Sequence, residues 1–584
     1  MSAVSSVFGI KRLMAFLSFG FVTISVALGQ VDDHRMSPAE QAAMPSYLQA
    51  RTSTGITSPP VSPVRAPAEW EEIDALNITW TGYTAVLKEI VRFARLETKV
   101  IIVCADSLSV QSYLTNNGIP LTNIDFLVAP YNSIWCRDYG QWNIYTHDVD
   151  SLALIDWIYN RPRPKDDTVP SSIARNELLP MYQTIQAPYD LIHTGGNFMT
   201  DGFGTGFSSN LVLNENPSHT AAEIDTILAK FMGINRFVKM STLPFDVIHH
   251  IDMHLKLLDE ETLLVGEYPQ GVADGPQIEA NLQYILSNYN SIYGTPYKVV
   301  RIPMPPDAAG RYPNNNGDYR TYTNAVFVNK TILVPGYETR YDTTAQRIWE
   351  EAMPGYNVQF INCNSIITAL GALHCITKEV ATRDPLLISH QPLADTYDAQ
   401  NPYPVDARIQ HRSGITVAEL YYRTDTLLPY QALPMTLSNA LTHTWTASIP
   451  AQAPGTKIDY YVSAVANSGK AQVRPMPAPA GYWSFEVLQF VGTEPALLAE
   501  SAMKPAFPNP SKGITCIPVA VGEEGHGQLE LTDVVGRKVA SIADGWMPAG
   551  EKNYFIDTQN LVAGVYLLVF ETAGRRHVQR LMVR

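Results

Sequence analysis

Residues 370–380 read LGALHCITKEV, and how this stretch is understood decides both the fold and the chemistry assigned to the chain. The neighbours of Cys375 are apolar or small. The preceding residues 364–370 (NSIITAL) predict a buried strand running into a turn at Gly371. A thiol at such a turn, with His374 and Thr377 beside it, is placed to be offered to a cleft as a nucleophile. The competing reading is a small core residue, which is what most free cysteines are. Three polar clusters set in apolar runs weigh towards chemistry: WCRDY at 135–139, HID at 250–252 and YTN at 322–324.

A chain of 584 residues is too long for one core. Its 46% hydrophobic and 17% charged content is that of a folded protein. The net charge of −14, without a basic run, argues against nucleic acid as a partner. At the N-terminus, Lys11 and Arg12 precede an apolar run over 13–28, with small residues Ala27 and Gly29 before Gln30. This pattern predicts a signal peptide over 1–29 and an exported protein with no transmembrane segment once matured. Five cysteines, an odd number without metal-ligand spacing, leave at least one thiol unpaired within the chain.

Residues 30–68 are polar and rich in Pro, Ser and Thr, as in a propeptide or linker. Over 69–383 short strands alternate with helices. Strands are expected at 100–103, 124–128, 152–158, 263–265 and 325–328, and helices at 221–231 and 344–352. This is an α/β pattern. Over 384–488 helical periodicity gives way to strands at 407–412, 417–423, 443–449 and 458–464, which predicts an Ig-like β-sandwich. A linker at 489–503 leads to a small β-domain over 504–584, whose clearest strands are expected at 529–539 and 564–570.

In VIHHIDMHLKLL (247–258), strand alternation would place His250, Asp252 and His254 on one face. That pattern is open to three readings: a metal site, an acid–base histidine beside a substrate-binding carboxylate, or a solvated strand face. Asp138 lies among Trp135, Tyr139 and Trp142, where a carboxylate needs a cation, either a ligand or its neighbour Arg137. In YNRPRPKDD (159–167), Arg161 and Arg163 could clamp a carboxylate, or form a solvated turn balanced by Asp166 and Asp167.

The order of the motifs WCRDYGQW, YNRPRP, TGGNFMTDGFGT (194–205), HHID, YTNAVFVNKTILVP (322–335) and ALHCIT resembles the guanidino-group-modifying superfamily. Within it the chain is most similar to secreted bacterial peptidylarginine deiminases, with agmatine deiminases as relatives. The resemblance implies a five-bladed, pseudosymmetric α/β propeller (the pentein fold) over 69–383. It implies Cys375 as nucleophile, His250 as general acid and base, Asp138 and Asp252 gripping the guanidinium, Asn324 supporting the site, and Trp135 packing on the substrate. Arg161 and Arg163 would meet the substrate α-carboxylate. No metal or cofactor is implied. The tail, with FPNPSKG (507–513), DVVGRKV (533–539) and AGVYLLVF (563–570), resembles a type IX secretion sorting domain. This implies a secreted or outer-membrane surface-attached protein of a Bacteroidetes-like bacterium, with the type IX machinery as partner.

The implied reaction is hydrolysis of peptidyl C-terminal arginine to citrulline and ammonia through a thiouronium on Cys375. Free arginine or agmatine, the latter giving N-carbamoylputrescine, are alternative substrates. Two departures from the family pattern affect the pocket: Val247 stands where an aromatic residue is expected, and Leu370-Gly371-Ala372 where a relative carries a polar pair. Two carboxylates beside a thiol should also disfavour its thiolate, so a cation is expected to activate Cys375. A metallohydrolase on His250, Asp252 and His254, and a non-catalytic surface-binding protein using the Ig-like region, are the competing functions.

Overall fold

Between residues 64 and 381 the computed structural model builds five small sheets from one recurring local pattern. The model describes residues 33–489, 501–572 and 575–584. In the pattern, a short strand pairs antiparallel with a second strand, a helix follows, and a third strand returns parallel to the second. Met199–Thr200, Thr205–Ser209, helix Ala221–Met232 and Arg236–Met240 form one such unit. Leu255–Leu257, Thr262–Glu267, helix Gly275–Asn288 and Lys298–Pro303 form the next. Val326–Val328, Thr331–Gly336, helix Thr339–Ala352 and Asn357–Asn362 form another. Trp142–Thr146, Leu152–Tyr159, helix Val169–Asn176 and Met181–Thr184 repeat it, with Val64–Arg65 and Ile192–His193 added. In the remaining unit the short strand is the distant Lys378–Ala381. It pairs with Ile73–Thr79, which is followed by helix Thr84–Ala94 and Lys99–Cys104. The end of this region therefore closes onto its beginning.

The helices follow from apolar spacing and from caps. Thr84–Ala94 buries Val86, Leu87, Ile90, Val91 and Ala94 on one face. Ala221–Met232 starts with a reciprocal capping box between Thr220 and Glu223 and stops at Gly233, whose φ of 72° suits a residue without Cβ. The central parallel strands Lys99–Cys104 (KVIIVC) and Leu152–Tyr159 are buried on both faces, so they read as apolar runs without alternation.

The same compact unit, Met1–Leu488, also holds two antiparallel sheets. Leu387–Ser389, Tyr403–Gln410, Thr444–Ile449 and Thr436–Asn439 make one; Gln431–Pro434, Ile415–Arg423, Lys457–Ala466, Ala471–Arg474 and Trp483–Glu486 make the other. They share a core that includes Val405, Leu420, Tyr460, Val462 and Phe485. Lys470 reaches Glu72 at 2.7 Å and Arg474 reaches Glu260 at 3.4 Å, tying these sheets to the first region.

The named strands of the second unit, Gln489–Arg584, pair antiparallel among its described residues, with Ile517, Leu529, Leu531, Leu568, Phe570 and Leu581 in its core. Residues 529–539, expected as one strand, belong to two. Gly525–Asp533 and Lys538–Met547 pair as a hairpin. Asp533 accepts from the backbone N–H of Val535 and Arg537, and Gly536 has φ 84°, so a turn forms inside the apolar run.

Two further expectations are corrected. Residues 364–370 are a 3₁₀ turn, Ile367–Ala369, ending at Leu370 with φ 70°; the strand of that unit ends earlier, at Asn362. His250, Asp252 and His254 do not alternate along a strand. His249 has φ 58° and Ile251–Met253 is a 3₁₀ turn, so strand periodicity is lost where the chemistry begins. The expected signal peptide at 1–29 and most of the 489–503 linker lie outside the described residues. No helix among the described residues is long and apolar enough to cross a membrane.

Candidate active site

Each short strand of the five sheets is preceded by a tight non-strand segment, and these five segments carry the site. Cys136–Tyr139 precedes Trp142–Thr146, Gly195–Asn197 precedes Met199–Thr200, and Ile251–Met253 precedes Leu255–Leu257. Residues 322–324 precede Val326–Val328, and His374–Ile376 precedes Lys378–Ala381. Residues far apart in sequence thus take equivalent places at the ends of successive sheets, where open chain geometry can present side chains to one another.

The Cys375 side is built wholly from core groups. The thiol is fully buried; its Sγ lies 3.2 Å from Asn324 Nδ2 and 3.8 Å from Asp252 Oδ2. Asn324 Oδ1 accepts from the His374 backbone N–H at 3.0 Å, fixing the turn that carries the thiol. Asp252 Oδ2 lies 2.7 Å from His374 Nδ1, whereas its Oδ1, also buried, has no partner. His374 Nε2 lies 2.7 Å from Glu69 Oε1. Glu69 also meets Lys256 and lies 3.6 Å from Arg137, which reaches Glu379 at 2.9 Å. Burial opposes ionisation of Glu69, but His374, Lys256 and Arg137 outweigh it and hold the carboxyl well below its usual range. Burial, reinforced by Asp252 and Asp138, raises the Cys375 thiol well above the usual value, so it rests as the neutral thiol at neutral pH.

The opposite side centres on Asp138. Its Oδ1 accepts the Gly196 N–H at 3.1 Å and lies 3.5 Å from His250 Nδ1. A Cβ on Gly196 would come within 2.4 Å of that His250 nitrogen, so only glycine permits the approach. His250 Nε2 is 3.4 Å from Thr194 Oγ1. Burial lowers His250 to about 4, against the pull of Asp138, leaving a neutral imidazole at neutral pH. Burial by itself would raise Asp138; the imidazoles of His250 and His34 reverse this and hold it ionised far into acid.

Trp135, Asp138, His250, Asp252, Asn324 and Cys375 are therefore all buried on these turns. Arg161 and Arg163 are buried as well, which removes the solvated-turn reading. Nor does Arg137 neutralise Asp138, as its position in the chain suggested: the short helix turns the two side chains to different partners, and Arg137 serves Glu379 and Glu69. His254 is buried with both ring nitrogens without a hydrogen-bond partner. Among the described residues, the donors close enough to share a metal are instead His34, Asp138 and His250, within 4.8 Å of one another. All five cysteines are free.

His34, Glu69, Thr194 and Gly196 were missed by sequence reasoning as parts of the site. For His34 there was one legible local signal. Ser37-Pro38-Ala39-Glu40 is a capping box with Pro at the first helical position, and it starts helix Pro38–Ala50 inside the stretch expected to be linker. Glu69 carried none, because one of several acidic residues in EWEEID (69–74) looks like surface until its buried cations are in place.

Residues 64–380 match the family model for Porphyromonas-type peptidyl-arginine deiminase, and residues 505–584 that for the secretion system C-terminal sorting domain. A Legionella pneumophila (strain Paris) protein carrying an agmatine deiminase name is 26% identical over 270 residues, 44% of this chain and 75% of its own length. A Mycoplasma mycoides protein of the same name is 22% identical over 358 residues, 54% of this chain and 95% of its own. Among solved structures, an agmatine deiminase of Enterococcus faecalis is 17% identical, covering 57% of this chain and all (100%) of its own, with a TM-score of 0.47.

Proposed function

Because the chain belongs to the Porphyromonas-type peptidyl-arginine deiminase family, which its residues 64–380 match, we propose that it hydrolyses a guanidino group with Cys375 as nucleophile. It carries a type IX secretion sorting domain and is exported, either secreted or attached to the cell surface. We read the five recurring units as the blades of a pentein propeller, with the active site where their leading turns meet, and the two sheets of 384–488 as an Ig-like domain.

The observation that carries the reaction is the convergence of a thiol, an imidazole and two buried carboxylates from three separate turns. A guanidinium stays protonated, and its charge is spread over a plane. Asp138 and Asp252 can each take paired N–H groups and hold that plane, with Trp135 against its face, so that the central carbon meets Sγ. In this reading the cation favours the thiolate that the two carboxylates otherwise disfavour. The S–C bond forms as one C=N electron pair moves onto nitrogen, giving a tetrahedral adduct. His250 delivers the thiol proton to one amino group, the C–N bond breaks and ammonia leaves. Water, deprotonated by His250, then attacks the thiouronium carbon; the S–C bond breaks, and the products are a ureido group and the free thiolate. Asn324, 3.2 Å from Sγ, is a positioning residue.

We propose peptidyl C-terminal arginine as the preferred substrate, its carboxylate meeting Arg161 and Arg163. One observation favours a second reading. The guanidinium of Arg161 donates to the backbone carbonyl of His34, and the chain runs on through Arg35, so a residue inside a peptide also fits beneath it. Citrulline formation from peptides ending in arginine, from internal-arginine peptides and from agmatine separates these substrates. Measured on a His34→Ala chain, a deiminase must act on at least one; release of ammonia from none would end the proposal.

A further inference from the structure

The site is already occupied, and the occupant is the chain itself. His34, which lies outside the family-matched residues, is 1% exposed and stands between the catalytic groups. Its ring stacks on Trp135 with centroids 4.1 Å apart and planes within 3°, and meets His250 edge-on at 5.2 Å. Nε2 bonds to Asp138 Oδ2, and Nδ1 lies 2.9 Å from the carbonyl of Leu370. A flat nitrogen-bearing ring on an indole face, with N–H directed at a buried carboxylate, reproduces what a guanidinium would offer this pocket.

The flanking backbone is held too. Arg161 Nε donates to the His34 carbonyl at 3.3 Å. Arg163 donates to the carbonyls of Asp33 and Arg35 at 3.1 and 3.2 Å, and to Glu40 Oε1 at 2.7 Å. Helix Pro38–Ala50 continues the segment, and at its end Arg51 reaches Asp167 at 3.1 Å. Beyond it, the backbone N–H groups of Thr54 and Gly55 donate to Gln183 Oε1.

We propose that residues 33–40 are an autoinhibitory pseudosubstrate: His34 fills the guanidinium pocket and both substrate arginines are spent on the segment, so the folded chain is latent until this segment leaves. The inference rests on the deiminase reading of the site. An imidazole here is inert, since none of its ring carbons bears an amino group that could leave as ammonia. A tethered ligand acts at an effective concentration on the order of millimolar, so ordinary substrate concentrations would not displace it. The linking residues Thr52, Ser53 and Thr54 are exposed, which makes proteolysis there a physical route to release.

The test uses the full chain and its His34→Ala and Glu40→Gln variants, each confirmed as folded by its thermal transition. Alkylation of Cys375 by iodoacetamide is followed by peptide mass spectrometry, alongside ammonia release from agmatine and arginine peptides. In a chelating buffer no metal can bridge His34, Asp138 and His250. Alkylation at least about tenfold faster in His34→Ala is expected, with a smaller rise in Glu40→Gln, because a gate that is closed most of the time cuts access down to its open fraction. Equal alkylation rates in the three folded chains would overturn the proposal. Faster alkylation without ammonia release from any compound would uphold the plug while removing the deiminase reading.

Discussion

The two walls of the site are finished differently. Around Cys375 every partner comes from the region between Glu69 and Glu379: Asn324 on the thiol, His374 on Asp252, Glu69 on His374, and Lys256 and Arg137 behind Glu69. Around Asp138 one carboxylate oxygen is satisfied by Gly196, but the other, together with Arg161 and Arg163, meets the segment at 33–40. The difference teaches where rigidity and control lie. A wall braced by packed ion pairs holds a nucleophile in place, and a wall completed by a removable segment can be opened.

The largest expected effect removes the nucleophile. In the His34→Ala background Cys375→Ala should lower deimination by more than about 10³-fold while leaving the thermal transition near that of its parent, because only one sulfur atom is lost. Retained turnover would move the reaction off this wall. In the His34→Ala background Asp252→Asn and Asp138→Asn should each lose roughly 10²-fold or more in kcat/KM through weaker hold on the cation. In the parent chain both should speed alkylation of Cys375 by removing charge that opposes its thiolate, Asp138→Asn the more because it also loosens His34.

Stability should separate the walls in the opposite sense. Arg137→Met removes a buried cation shared by Glu379 and Glu69, which keep only Lys378 on the one side and His374 and Lys256 on the other, and should cost about 3 kcal/mol by chemical denaturation; a change no larger than at a surface site would show the ion pairs to be incidental. The acid response follows from the same cluster. Burial opposes ionisation of Glu379, but Arg137 and Lys378 outweigh it and depress the carboxyl to about 2. Its contribution, on the order of 3 kcal/mol, is complete above the unfolded value near 4.5 and is lost as pH falls through about 2. Arg137→Met should flatten that loss.

Smaller effects sharpen the substrate reading. In the His34→Ala background Arg161→Ala should cost C-terminal-arginine turnover roughly 10- to 100-fold, the worth of one charge-assisted bond, with little loss on agmatine. Equal losses would remove the carboxylate from the account. In His34→Ala, the pH profile of Cys375 alkylation should lie in the alkaline range and move to lower pH when a guanidinium ligand binds. The empty site holds the thiol high, and a cation between the carboxylates stabilises the thiolate. An unmoved profile would assign thiol activation elsewhere.

How far the sequence reached can be judged from individual residues. Strands such as Leu152–Tyr159 and the helix Ala221–Met232 were legible because their apolar spacing and caps are local. The site turns were not legible as turns. His249 with φ 58° and Leu370 with φ 70° break an extended pattern that composition alone continues. Cys375, His250, Asp138, Asp252 and Asn324 were singled out from motif order, but their partners were hidden. His374 meets Asp252 across 122 positions, and Glu69 meets His374 across 305, separations at which no spacing rule operates. His34 was hidden for another reason: a polar, Pro-rich segment looks unstructured until the pocket that receives it is formed.

The central claim is that Cys375 bonds to the guanidino carbon held between Asp138 and Asp252. Its most direct test is acid quenching of the His34→Ala chain during turnover of agmatine or an arginine peptide, followed by mass spectrometry of the peptide that carries residue 375. The account predicts a thiouronium adduct on Cys375 that disappears in the Asp252→Asn variant in step with turnover. Citrulline or N-carbamoylputrescine released at full rate by Cys375→Ala, with no adduct on the parent thiol, would contradict it.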